Sequence, residues 1–129
     1  MTERFTLDLP PDAAYVGTAR MFASTLARHF EVPDEVVEDI KLAISEACSR
    51  ALAVDGAEHL SLRAHRIDHR LVFEIEQGEL AAPPATADTP TPSSVELAAG
   101  LSLELVSALF EDAEVTADSA GPVLRFTVG

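Results

Sequence analysis

The sequence predicts an α+β protein, a two-layer α/β sandwich. A mostly antiparallel or mixed sheet of about five strands is covered on one face by three helices. Three observations carry this reading. Five short stretches alternate apolar and polar residues, the period of a half-buried strand. Three longer stretches repeat apolar residues every three or four positions, the period of an amphipathic helix. Most strands are apolar on one face only, which excludes a doubly wound fold with helices on both faces of the sheet. The 129 residues suit a single domain, residues 1–129, with a real core.

Phe5, Leu7 and Leu9 alternate with Arg4, Thr6 and Asp8 in a first strand, which Pro10-Pro11 ends. Asp12 is placed to cap a first helix whose apolar stripe is Tyr15, Ala19, Phe22, Leu26 and Phe30. Arg20 and Arg28 lie off that stripe. The second helix, Val36 to Val54, has the widest stripe: Val36, Ile40, Ala43, Ala47 and Ala51, with Val37, Ile44, Cys48 and Leu52 alongside. Val32-Pro33-Asp34-Glu35 starts it, because proline tolerates the first turn and acids favour the positive end of the helix dipole. Asp55-Gly56 stops it. Glu46 and Arg50, four apart, share one side of this helix and read as an ion pair off the stripe.

A hairpin follows. Leu60, Leu62 and Ala64 alternate with Ser61, Arg63 and His65. Leu71, Phe73 and Ile75 alternate with Val72, Glu74 and Glu76. The turn falls near Ile67-Asp68-His69. His65 and His69 have no third ligand at metal-site spacing, so they read as solvated strand and turn residues. Residues 79–92 shift to Ala, Pro and Thr and hold four of the eight prolines. No regular element fits there, and the segment is long for a connection within one domain, as flexible loops over sites are. Ser93-Ser94-Val95-Glu96 reads as a capping box. It opens a third helix to about Phe110, with Leu97, Leu101, Leu105 and Leu109 on one side and Gly100 inside the pattern. Two closing strands follow, near Ala113 to Ala117 and through Leu124, Phe126 and Val128, with Ser119-Ala120-Gly121-Pro122 turning between them.

The formal net charge of −13 argues against direct binding to nucleic acid or an anionic membrane, since both demand a basic face. An acidic surface suits a basic partner, and it also serves solubility. No signal peptide and no run long enough to span a bilayer is visible. The single cysteine, Cys48, lies in the buried stripe, as in a reducing, cytoplasmic setting.

The string KLAISEACSRAL resembles the N-box of the GHKL (Bergerat-fold) ATPases, and more closely that of the RsbW-type anti-sigma factors and serine kinases. FEIEQGE stands where that family has the strand ending in D-x-G-x-G. Residues 79–92 stand where it has a mobile ATP lid. AAGLSLELVSAL followed by FEDAEV stands where it has G-x-G-L, a helix and a strand. Ala19-Arg20 also fits. The resemblance covers almost the whole chain and rests on order and spacing, since each motif is degenerate.

The resemblance implies roles for single residues. In the family's E-x-x-x-N, the glutamate polarises the attacking hydroxyl or water and the asparagine holds Mg²⁺. Here the glutamate is Glu46 and the asparagine position is Arg50. A guanidinium offers only donors and cannot ligate a metal. Glu76 stands for the adenine-recognising aspartate. Gly78 is retained while Leu80 replaces the next glycine. Gly100 is retained while Ser102 replaces a glycine in the phosphate turn. The lid region has no Lys or Arg between Glu79 and Glu96.

The nucleotide-binding set is therefore Glu46, Arg50, Glu76, Gly78, Gly100 and Ser102, with Glu46 the catalytic candidate and no metal ligand. The implied function is an anti-sigma-like regulator, a cytoplasmic homodimer. It binds a sigma factor, answers to an anti-anti-sigma factor, uses Arg20 at partner contacts, binds ATP or ADP weakly without depending on Mg²⁺, and has little kinase activity. The alternative is an active ATP-dependent serine/threonine kinase acting on the anti-anti-sigma factor.

Overall fold

In the computed structural model, residues 2–53, 58–77, 104–118 and 121–128 are described. The strands are β1 (Thr2–Leu9), β2 (Leu60–Ile67), β3 (Arg70–Glu76), β4 (Glu114–Asp118) and β5 (Gly121–Val128). The helices are α1 (Val16–His29), α2 (Asp34–Leu52) and a short α3 over residues 104–109. The sheet order is β1-β2-β3-β5-β4, and every described pairing is antiparallel. The expected α+β sandwich is therefore the fold, with the sheet antiparallel rather than mixed.

The alternation in each strand selects the face that meets the helices. Leu60, Leu62 and Ala64 of β2, Leu71, Phe73 and Ile75 of β3, and Leu124, Phe126 and Val128 of β5 are all buried. The register sets them side by side: Leu62 opposite Ile75, and Ile75 opposite Leu124. Phe126 stacks on Phe73 at 5.3 Å and on Phe110 at 4.6 Å between centroids, so one aromatic column ties α3 to the sheet. On the other face the same register lines up Arg63, Glu74, Arg125 and Glu114, a row of alternating charge across four strands.

Helix α2 sits at the centre because both of its neighbours need it. Val37, Ile40, Ala43, Ile44, Ala47 and Cys48 have no exposed surface. Ala19, Ala23 and Ala27 of α1 are equally closed. Short side chains on both helices let the two axes approach each other. Between them α1 ends in a Schellman turn: Val32 N–H donates to the Ala27 carbonyl and Glu31 N–H to that of Arg28. Glu31 takes the left-handed position at φ 61°, where glycine is the usual residue.

Some expectations shift. Asp12 caps a 3₁₀ turn, Ala13–Tyr15, rather than α1 itself, by accepting from Ala14 N–H at 2.9 Å. Tyr15 therefore falls outside the stripe and is exposed, and Ala23 and Ala27 complete the face instead. On α3 the core face is Val106 and Phe110, while Leu105 points to solvent. The stop at Asp55-Gly56, the 79–92 loop, the capping box, Gly78, Gly100, Ser102, Leu97 and Leu101, and the Ser119-Ala120 half of the last turn lie outside the described residues. Among the described residues no helix is long and apolar enough to cross a membrane.

Candidate functional site

The second half of α2 carries Glu46 and Arg50, and between them Ala47 meets the residue that follows β3. Glu46 is half-buried. Arg50 corrects the sequence reading: it is not an off-stripe surface residue but 7% exposed, with Nε and Nη1 buried and without a hydrogen-bond partner. The guanidinium therefore does not clamp Glu46 through those two nitrogens. The helical phase explains its burial, since Arg50 is three residues after the fully buried Ala47 and so continues the stripe 36-40-43-47. Burial in apolar surroundings pulls its pKa down from the ordinary value.

The alternation of β3 decides what faces α2. Leu71, Phe73 and Ile75 point inward, so Glu76 points to the other face. There its Oε2 lies 2.6 Å from His59 Nε2, and this hydrogen bond raises the His59 pKa. The structure thus does not bring Glu76 to Glu46 and Arg50. The side chain that reaches α2 is Gln77, whose backbone N–H still bonds to the Pro122 carbonyl of β5. Gln77 is fully buried. Its Nε2 donates to the carbonyls of Ile75, at 3.1 Å, and of Ala47, at 3.3 Å. Its Oε1 is buried without a partner. Motif matching passed over Gln77, although the 71-73-75 alternation, carried one step further, points to it.

This end of the two layers therefore holds a buried guanidinium with two unpartnered nitrogens on α2 and a buried, unpartnered acceptor just after β3. Unsatisfied buried polar groups are uncommon and call for a partner, such as an ion or a ligand. Arg20 is exposed on α1, next in sequence to Met21, which is 68% exposed. Cys48 is buried in the core as expected, and burial pushes its thiol up to about 12. Among the described residues no group of three or more His, Cys, Asp or Glu is arranged to hold a metal ion.

An antiparallel open sheet with one helix layer, whose central helix carries Glu46 and meets the end of the third strand at Ala47, defines a GHKL-type ATPase scaffold. The chain belongs to the histidine kinase-like ATPase domain family, matched over residues 9–128. It is similar to the serine-protein kinase RsbW of Halalkalibacterium halodurans, 27% identical over 136 residues that cover 97% of this chain and 82% of the relative. It also superposes on a Mycobacterium tuberculosis structure of RsbU and RsbW domains with a TM-score of 0.68 at 14% identity. That superposition covers 97% of this chain but 32% of the other, so this chain spans about a third of that one. The likeness to the solved structure speaks for the fold alone. The family-level resemblance drawn from the sequence is borne out.

Proposed function

We propose that this protein is an RsbW-like anti-sigma regulator that sequesters a sigma factor and keeps only a degenerate nucleotide site. The observation that carries this reading is the buried guanidinium of Arg50, with Nε and Nη1 unpartnered, at the position where the family places its metal-holding asparagine. A fixed positive charge repels Mg²⁺ and donates hydrogen bonds only, so Mg²⁺ does not fit at this position. A nucleotide fits better. Arg50 would hold a phosphate oxygen, and Gln77 Oε1 would accept from an exocyclic amine of the base. Glu46 remains as the catalytic candidate, and Glu76, held by His59, drops to a supporting place.

Partner binding falls to α1. Arg20 is exposed on α1, and the same helix carries Met21 at an apolar hollow of about 280 Å³ lined by Leu7, Met21, Phe22 and Leu26. A charged donor next to exposed apolar surface suits a protein contact, either with a sigma or anti-anti-sigma factor or with a second copy in a homodimer. The overall charge of −13 complements a basic, DNA-binding partner in the cytoplasm. The test is co-purification with each sigma factor of the host, together with calorimetric titration of ATP and ADP with and without Mg²⁺. Sigma-factor capture with Mg²⁺-indifferent, weak nucleotide binding is expected. Tight binding that requires Mg²⁺ would overturn the reading of Arg50.

The half-buried Glu46 favours one second reading, an active serine/threonine kinase acting on an anti-anti-sigma factor. Radiolabelled ATP with that partner decides it, and absence of transfer with both Mg²⁺ and Mn²⁺ ends it.

A further inference from the structure

The opposite end of the sheet holds a second cavity, unconnected to the proposed nucleotide site. It lies between the α1–α2 junction and the β2–β3 hairpin and encloses about 470 Å³, within the range of small-ligand pockets. Leu71 at this end and Gln77 at the other are six strand residues apart, roughly 20 Å. The floor is apolar, made by Phe30, Val36, Leu71 and Val128. The rim is basic, with Arg66, His69 and Arg70 against the single carboxylate of Glu31.

Arg66 forms a loose, half-exposed ion pair with Glu3, its neighbour across β1 and β2, and still faces the pocket. Its guanidinium carbon lies 4.4 Å from the centroid of the Phe30 ring, a cation–π contact that places the charge at the pocket. The nearest carboxylate described, Glu3 Oε1, is 3.8 Å from Nη1, too far for a direct hydrogen bond. A guanidinium over an aromatic ring whose one carboxylate neighbour makes no direct hydrogen bond can offer its planar fork to a second carboxylate. Both walls turn on left-handed residues, Glu31 at φ 61° and Asp68 at φ 56°, in a region that non-glycine residues seldom occupy.

Charge selects the kind of anion. The chain as a whole carries −13. Acidic macromolecules and polyanions feel that repulsion over an extended surface. A small monoanion feels mainly the charges within about 8–10 Å, the screening length at physiological salt, where Arg66 and Arg70 offset Glu31 and Glu3. We propose that this pocket binds a small organic monoanion, a carboxylate joined to an aromatic or branched aliphatic body. The apolar body would sit on Phe30, Val36 and Leu71, and the carboxylate would meet Arg66, with Arg70 adding charge at the mouth.

The test is an amide and methyl NMR titration of the full chain with 4-phenylbutyrate, its neutral analogue 4-phenylbutyramide, and acetate. The expected result is saturable shifts at Phe30, Val36 and Leu71 with the first compound. Binding should be at least about tenfold weaker for the amide and for acetate, each of which lacks one half of the recognition. Arg66→Met, which keeps an apolar stem over Phe30, should weaken phenylbutyrate about tenfold. Arg70→Gln should weaken it less. Arg50→Met should leave it unchanged, which separates this site from the nucleotide cleft. No shift up to about 10 mM, weaker than any useful affinity, would overturn the proposal. Equal binding of acid and amide would do the same. So would shifts at these residues on dilution of the protein alone, which would assign the pocket to contact between copies.

Discussion

Gln77 spans the two layers of the molecule by donating its side-chain amide to the carbonyl of Ala47 on α2, 3.3 Å away, from a position with no exposed surface. With Ile75 O also 3.1 Å from Nε2, two acceptors face the same nitrogen and fix which end of the amide is which. Oε1 is left buried and unpaired, so the hydrogen bonds it could make are lost. Gln77→Leu keeps the volume and removes the orphan acceptor, so its stability should fall within about 1 kcal/mol of the natural chain. Gln77→Ala opens a cavity and should cost about 2–3 kcal/mol. Urea denaturation of the two variants measures the difference.

Arg50 presents a larger imbalance. A buried guanidinium with two unpartnered nitrogens carries a desolvation cost that hydrogen bonding does not offset. Replacing such a charge by an apolar side chain of similar length commonly stabilises. Arg50→Met is therefore expected to gain about 1–3 kcal/mol in chemical denaturation. Arg50→Asn restores the family's metal-holding residue type, and calorimetry should then show ATP binding that gains Mg²⁺ dependence. An unchanged Mg²⁺ response would count against the role given to this position.

Cys48 supplies a pH signature. Its thiol pKa is raised by burial from 9.0 to about 12, so the fold holds the neutral form. The sign follows directly. Stability from this group is complete below the unfolded pKa and is lost as pH rises from 9.0 toward 12, by about 1.4 kcal/mol per pH unit. Comparing Cys48→Ala with the natural chain across that window should show the slope disappear in the variant. Below it, a thiol-reactive disulfide reagent should label Cys48 only as fast as the protein unfolds.

Glu31 holds the left-handed position of the Schellman turn at φ 61°. Glycine carries no Cβ penalty there, so Glu31→Gly should stabilise by about 1 kcal/mol. Thermal unfolding should show this as a rise of several degrees in Tm. No rise would mean that the carboxylate of Glu31 makes compensating contacts.

The sequence determined the layers, because periodicity is a local property that each stretch carries without its neighbours. Alternation in 71–75 and 124–128 was enough to name the core face of two strands, and the 36-40-43-47 spacing was enough to place α2 against it. The position of Arg50 was present in that same spacing, yet its charge argued for solvent, and only the packed helix layer decided otherwise. Gln77 was legible in the alternation, while the resemblance of EQGE to a glycine-rich motif drew the eye to Glu76, which the strand turns toward His59. The pocket under Arg66 had no local signal, because its walls come from residues 30–36, 66–71 and 128, which are brought together only when the sheet closes against the helices. A one-dimensional pattern fixes which way a side chain points from its own element; which groups then meet, and which are left without partners, depends on long-range packing.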